Sequence, residues 1–100
     1  MRPINEIYNE KMQFVSDLNK TMTIDGNIRS LRYARDYTSG NEVMMITDSA
    51  LTPFFINVTG NSLEAILSEA NRFQLGLKPV GLVESREARK EYAKMFEGVS

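Results

Sequence analysis

The chain of 100 residues contains no cysteine, no histidine and no tryptophan. Because it lacks cysteine, it has no disulfide framework, no thiolate nucleophile and no cysteine-bound zinc or iron–sulfur site. Because it lacks histidine, it has no imidazole base near neutral pH, no Ser-His-Asp triad and no histidine metal ligand. General acid–base catalysis would fall to a carboxylate or a lysine with a strongly shifted pKa, which requires burial and a charge partner. The composition therefore argues against an enzyme without excluding one, and it predicts no metal site and no cofactor.

Long apolar runs and an excess of charge of one sign are also missing. The longest apolar runs, at 43–46 and 53–56, are much shorter than the roughly 20 residues that span a bilayer. Twelve Lys and Arg residues oppose thirteen Asp and Glu residues, so the net charge is -1. No overall field draws such a chain to nucleic acid or to an anionic membrane. The N-terminal region carries charges and lacks the apolar core of a signal peptide, so we expect a cytoplasmic protein without a membrane anchor.

What the chain does contain is the composition of a globular domain. Its hydrophobic fraction of 42% and its charged fraction of 25% are both close to the averages of folded domains. One hundred residues suffice for one domain and hardly for two. No linker, internal repeat or low-complexity tract divides the sequence. We therefore expect residues 1–100 to form a single domain.

Hydrophobic periodicity in the first half of the chain predicts one helix and then strands. Apolar residues at mostly helical spacing follow Pro3 and predict a helix over 3–19. Asp25-Gly26 is typical of a two-residue hairpin turn, which implies a short strand over 22–24 before it. Residues 27–37 fit a helix or a strand, and the strand is preferred because a helix would mix arginines into its apolar stripe. Further strands are predicted over 42–48 and 54–59.

The second half of the chain carries clear helix signals. A capping-box variant opens a helix over 62–75, which ends at Gly76 and has the most regular apolar stripe, so we expect it to cover the sheet. A short strand is predicted over 80–84, with a right-handed crossover if it lies parallel to 54–59. Ser85 should cap a last helix. The predicted order is α-β-β-β-β-α-β-α, a single α+β domain with a mostly antiparallel sheet covered by helices.

Charge is segregated along the chain although its sum is nearly zero. Residues 36–71 contain no Lys or Arg but five acids, and Arg29, Arg32 and Arg35 lie directly before them. Antiparallel pairing of the arginine-bearing strand with the strand at 42–48 would place opposite charges across from each other. Cross-strand ion pairs of this kind are the simplest interpretation of the pattern, and they carry no function.

The alternative interpretation of the arginines is a binding face. In a strand, Arg29, Tyr33, Arg35 and Tyr37 share one face, which we expect to be exposed. Arginine and tyrosine are enriched in protein hot spots, and they also stack on nucleic-acid bases. Three clustered arginines form a short positive track for a nucleic acid, and the pI of about 5.4 favours a protein partner.

Two pairs of carboxylates are spaced for a metal site in a helix bundle. Glu6 and Glu10 are four residues apart on the first predicted helix, and Glu87 and Glu91 are four apart on the last. Both pairs lie beside basic residues, including Lys11, and the chain has no histidine to complete the site. They are therefore interpreted as solvated helix faces.

The sequence thus favours a small non-catalytic protein-interaction module that masks or modulates a larger partner, as an inhibitor or accessory factor does. Its expected contact residues are Arg29, Arg32, Tyr33, Arg35 and Tyr37. Two alternatives stay open: a nucleic-acid-binding module that uses the same strand face, and a small-ligand-binding protein or carboxylate-dependent enzyme with a site beneath the helix at 62–75. A homodimer is also expected, because three helices are few to cover two apolar faces of a five-stranded sheet.

Overall fold

The computed structural model describes residues 2–24 and 26–97. Within these ranges the elements are, in chain order, α1 (Ile4–Met22), β1 (Ile28–Arg35), β2 (Glu42–Asp48), β3 (Pro53–Asn57), α2 (Leu63–Gln74), α3 (Arg86–Ala93) and a 3-10 helix (Lys94–Phe96). The three strands form one antiparallel sheet in the order β1-β2-β3. The predicted α+β class and antiparallel sheet are confirmed, whereas the predicted order of elements holds only in part. In the described ranges, no helix is both long and apolar enough to cross a membrane.

The register of the sheet decides which side chains point into the core. Directly opposed residues share a face, so the pairs Leu31–Ile46 and Tyr33–Met44 lie on the same face as Ile56. This face packs against α1 and α2. The buried cluster between them consists of Val15, Ile28, Leu31, Tyr33, Met44, Ile46, Ile56, Val58, Ile66 and Ala70.

Helices cover both faces of the sheet. α1 packs against β1, while α2 buries Ile66 and places Phe73 edge-to-face on Phe54 with 5.1 Å between ring centroids. α2 therefore covers the sheet together with α1 on one face. On the other face the 3-10 helix places Phe96 6.0 Å from the Phe55 ring. The apolar surface that led us to expect a homodimer is thus largely buried within one chain.

The strand predicted over 22–24 is wrong. α1 continues through Met22, and the Thr23 hydroxyl donates to the Asn19 carbonyl at 2.7 Å in the last turn of the helix. The chain then turns directly into β1. Of the predicted hairpin residues, Asp25 lies outside the described residues, and Gly26 has the positive φ of 91° that favours glycine. The open choice for 27–37 is settled as a strand, Ile28–Arg35.

The strand predicted over 80–84 is reduced to an isolated antiparallel bridge between Leu82 and Ile56. A parallel crossover therefore does not form here. The reason is a tertiary contact: the buried Glu69 carboxylate accepts from the backbone N–H groups of Val80 at 2.9 Å and of Gly81 at 2.6 Å. A side chain of α2 thus takes the Gly81 N–H, which a longer strand would donate to the Asn57 carbonyl of β3.

The predicted helix ends in the second half are confirmed. The Ser62 hydroxyl accepts from the Ala65 N–H at 3.1 Å, and the Ser85 hydroxyl accepts from the Ala88 N–H at 3.3 Å. At the other end of α2, Gly76 has a φ of 78° and the chain closes in a Schellman motif.

Candidate protein-interaction surface

The outer edge of β3 is occupied by the chain itself. Asn57 N–H donates to the Gly81 carbonyl at 2.8 Å, and Val83 N–H donates to the Phe55 carbonyl at 2.8 Å. Residues 81–83 therefore cover this edge as a short strand would. A second protein cannot pair there unless this segment leaves.

The outer edge of β1 is open. The Asp36 N–H donates to the Asn41 carbonyl on the side of β2. The backbone N–H and C=O groups of even-numbered residues in β1 therefore point to β2, and those of odd-numbered residues point outward from the sheet edge. On the outward side, Leu31 N–H donates to the Asn19 side chain at 2.7 Å. The backbone groups of Tyr33 and Arg35 have no outward partner among residues 2–24 and 26–97. An unpaired strand edge of this kind is a template for pairing with another chain.

A groove of about 370 Å³ runs between α1 and this edge. We call it the edge groove. Its lining includes both the strand and the exposed side of the helix: Met12, Ser16 and Asn19 from α1, with Leu31, Arg32 and Tyr33 from β1. The open backbone edge thus lies beside a cleft with an apolar methionine and neutral polar groups.

The three arginines of β1 form no ion pair with any described acid. The described salt bridges involve Arg2, Lys11, Lys78 and Lys94. Arg35 does lie opposite Glu42, as cross-strand pairing requires, but the two side chains are not within ion-pair distance. The cross-strand ion pairs that we considered the simplest interpretation of the charge pattern do not form in the described chain.

Glu42 is unavailable to Arg35 because three other groups hold its carboxylate. Lys11 Nζ donates at 2.7 Å and the Tyr33 hydroxyl at 2.6 Å to one oxygen, and Gly60 N–H donates at 2.9 Å to the other. Burial alone would raise the pKa of the Glu42 carboxyl, but the hydrogen bonds from Gly60, Lys11 and Tyr33 outweigh it and lower that pKa. Burial, and then the hydrogen bond to Glu42, raises the pKa of the Tyr33 hydroxyl.

Tyr33 therefore does not lie on an exposed face, as we expected. The whole residue is only 8% exposed, because α1 packs on the face of β1 that Tyr33 shares with Leu31. The strand period correctly groups these residues, but the position of α1 decides which group is buried. Tyr33 contributes to the surface only through its outward backbone groups.

The Arg35 guanidinium contacts two tyrosine rings. Its guanidinium carbon is 4.5 Å from the Tyr8 centroid and 4.1 Å from the Tyr37 centroid. Nε is enclosed and has no hydrogen-bond partner in the described chain. We call Tyr8, Arg35 and Tyr37 the arginine clamp. It joins α1, the end of β1 and the following turn.

The remaining predicted contact residues lie on different sides of β1. Arg29 is exposed at the β-bulge near the start of the strand. Arg32 points to the opposite face, 5.4 Å above the Phe96 ring. Tyr37 is 73% exposed in the turn after β1. The five predicted residues thus surround one open strand edge and do not share one face.

Several features of this surface are not evident from the sequence. Spacing places Lys11 on a solvated helix face with Glu6 and Glu10, yet Lys11 is buried and binds Glu42, while Arg2 binds both glutamates. Tyr8 fits a helical stripe and carries no further signal. The sequence signal for Lys11 is its position on the apolar side of α1, one turn after Tyr8, because a lysine within an apolar stripe is expected to be buried.

No cluster of acidic side chains suited to hold a metal ion occurs in the described part of the chain. Glu91 pairs with Lys94 at 3.5 Å, which agrees with a solvated helix face. The N-terminus of α2 is capped by Ser62.

No protein-family model, no curated protein and no solved structure matches this chain.

Proposed function

We propose that this protein is a small protein-interaction module that takes an extended segment of a partner protein as an added strand along β1. The observation that carries the proposal is the contrast between the two sheet edges: residues 81–83 cover β3, while β1 is open beside the edge groove. Strand addition supplies affinity through main-chain hydrogen bonds and specificity through alternate side chains. A partner whose segment is bound along β1 could not use that segment for other contacts, and the module would mask or modulate the partner in this way.

The charge of β1 indicates the chemistry of the segment. Arg29, Arg32 and Arg35 form no ion pair with a described acid, and a strand laid beside them would bring its side chains within reach. Like charges directly opposite each other destabilise a strand pair, and opposite charges stabilise it by roughly 0.2–1 kcal/mol per pair. An acidic segment therefore fits this edge better than a neutral or basic one.

A second copy of the chain fits the edge poorly. If two β1 strands pair antiparallel about Arg32, then Arg32 opposes Arg32 and Arg29 opposes Arg35. Shifting the register by two residues still leaves six arginines in one ribbon. A nucleic acid is the other candidate for arginines and tyrosines, but Tyr33 is buried and cannot stack on a base.

Amide hydrogen exchange measured by NMR tests the proposal directly. In the free protein, the outward N–H groups of Tyr33 and Arg35 should exchange faster than those of Arg32 and Ala34, which face β2. The probe is a blocked nine-residue peptide in which glutamate alternates with valine. We expect it to protect Tyr33 and Arg35 at least tenfold and to leave the covered Asn57 amide unchanged.

A matched pair of variants locates the binding. Ser16→Tyr should fill the edge groove and abolish the protection, whereas Gln13→Tyr, exposed on α1 outside the groove lining, should not. Peptide binding without protection of Tyr33 and Arg35 would overturn strand addition. Protection of these amides by raising the protein concentration alone would identify a second copy as the occupant. Salt-sensitive binding of an oligonucleotide, with no peptide binding, would favour the nucleic-acid alternative.

A further inference from the structure

We infer that the arginine clamp binds a side-chain carboxylate of the partner segment. The inference rests on the proposed function, because it names the group that the added strand would present to Arg35. Contact with two aromatic rings engages the π surface of a guanidinium but none of its N–H groups, which lie in its plane and stay available as donors. The two ring contacts restrict the Arg35 side chain and leave its N–H groups for recognition of an anion.

The donors left over are the two terminal nitrogens of Arg35. Nε is buried, so a ligand from solvent cannot reach it without moving the groups that cover it. The terminal nitrogens are not among the enclosed unpaired atoms, and they donate to no described acceptor. They are therefore not fully buried, and a guanidinium presents such nitrogens in a planar fork that matches the two oxygens of a carboxylate.

The acids nearest to the clamp are already engaged by other groups. Glu42 is held by Lys11, Tyr33 and Gly60. The Asp36 carboxylate accepts from Thr38 N–H at 2.9 Å and the Ser39 hydroxyl at 3.0 Å, and these contacts lower its pKa. Arg35 thus has no anion among residues 2–24 and 26–97, and we expect the partner segment to supply one.

The space beside the clamp accommodates a carboxylate side chain. A depression of about 430 Å³ is lined by Arg35 and Tyr37 on one side and by Glu91 and Lys94 of the C-terminal helices on the other. Its lining holds two cations and two acids, Asp36 included; Lys94 pairs with Glu91, which leaves the Arg35 cation to attract one carboxylate. A phosphate dianion would meet two acids and would lack the several cationic groups that usually bind it.

The position of the clamp connects it to strand addition. Arg35 is the last residue of β1, and its backbone groups face the open edge. A segment that pairs with this edge places one residue opposite Arg35, with a side chain on the same face. Glutamate at that position can reach the terminal nitrogens, since its side chain is long enough to bridge neighbouring strands.

Three peptides of the same alternating design test the inference by titration into the wild-type protein. They carry glutamate, glutamine or phosphoserine at the alternating positions. We expect the glutamate peptide to bind about tenfold more tightly than the glutamine peptide, as charge-assisted bidentate pairing implies. The glutamate peptide should also shift the Arg35 side-chain Nε–H resonance. Tightest binding by the phosphoserine peptide would overturn the carboxylate assignment.

Variants separate the clamp from general charge. Arg35→Gln should remove most of the tenfold preference for glutamate over glutamine, whereas Arg89→Gln, the same charge change at an exposed position on α3, should retain it. Because Arg35 packs on Tyr8, its loss could affect folding. Tyr37→Ala therefore serves as a second variant: it is exposed, it loosens the clamp, and it should reduce the preference about threefold.

The outcomes distinguish the two proposals. If all three peptides protect the Tyr33 and Arg35 amides equally, strand addition stands and the carboxylate site is wrong. If the glutamate peptide shifts the Arg35 side chain without protecting these amides, the carboxylate site stands and strand addition is wrong. If no peptide binds, both are overturned.

Discussion

At the scale of single residues, the central feature is a buried ion pair that shapes the binding strand. Lys11 of α1 reaches Glu42 at the start of β2, and the Tyr33 hydroxyl donates to the same carboxylate oxygen. A buried pair adds little net stability over an apolar substitute, but removal of one partner leaves the other charge buried and unpaired. The network therefore fixes the placement of α1 on β1, and with it the shape of the edge groove.

Glu42→Gln should lower the free energy of unfolding by about 3 kcal/mol, because it leaves the Lys11 ammonium buried without an anion. Urea denaturation followed by circular dichroism measures the change. Glu10→Gln is the matched control: Glu10 is exposed on the same helix as Lys11, and its one ion pair within the described ranges is with Arg2, so its loss should have no measurable effect. Equal stability of the two variants would show that the buried pair does not hold α1 in place.

The same network predicts how stability varies with pH. The Glu42 pKa is lower in the folded state than its ordinary value of 4.5, so its contribution is complete above that value and is lost as pH falls through the folded pKa. The Tyr33 pKa is raised above 10.0, so the unfolded chain ionises first and stability declines as pH rises past 10. Tyr33→Phe should abolish the alkaline decline, as measured by urea midpoints between pH 8 and 11. An unchanged slope in the variant would contradict this assignment.

At the scale of elements, the covered edge depends on one glycine. A Cβ at Gly81 would overlap the Asn57 carbonyl oxygen, which cannot move aside because it belongs to the backbone of β3. Gly81→Ala should therefore detach residues 81–83 and destabilise the domain by about 1–3 kcal/mol. Hydrogen exchange at Asn57 should accelerate with it. Glu84→Ala, exposed just beyond the same segment, should leave Asn57 protected.

Elements whose ends are set locally can be predicted from the sequence. The strand predicted over 42–48 matches β2, Glu42–Asp48, because turn residues bound a β-prone apolar run. The serine caps and Gly76 likewise act within a few residues of themselves. The strand predicted over 80–84 is reduced to a single bridge because Glu69, distant in sequence, accepts from the Gly81 N–H that would otherwise pair with β3.

The candidate site shows the same division between local and distant causes. The arginines and tyrosines of β1 can be selected from composition and spacing, since they need only the strand itself. Which of them is exposed depends on α1, whose Lys11 and Tyr8 contact β1 and β2 from distant positions in the sequence. The open edge depends on the whole strand order, which no local pattern contains.

At the scale of the whole molecule, the distribution of charge matters more than its sum. The net charge is only -1, yet the three arginines of the open edge have no described acid to neutralise them. Repulsion between like charges is one of the devices by which proteins prevent their strand edges from pairing with copies of themselves. The arginines of β1 would then both attract an acidic segment and keep identical chains apart.

Reversing that charge in one copy should create a dimer between unlike chains. The wild-type protein should not pair with itself through β1. The triple variant Arg29→Glu, Arg32→Glu, Arg35→Glu should not pair with itself either, because its introduced glutamates would oppose one another in the register centred on residue 32. In an equimolar mixture every introduced glutamate would instead meet an arginine of the wild type, so the unlike pair is favoured.

Sedimentation velocity on the separate and mixed samples measures this pairing, with 1 M salt as the control because it screens the attraction. Because Arg35 packs on Tyr8, circular dichroism of the triple variant checks that it is folded before the chains are mixed. Wild-type protein that dimerises alone, with its β1 amides protected, would show that charge does not keep this edge open. A folded variant that forms no mixed dimer would show that opposite charge is not enough to pair this edge.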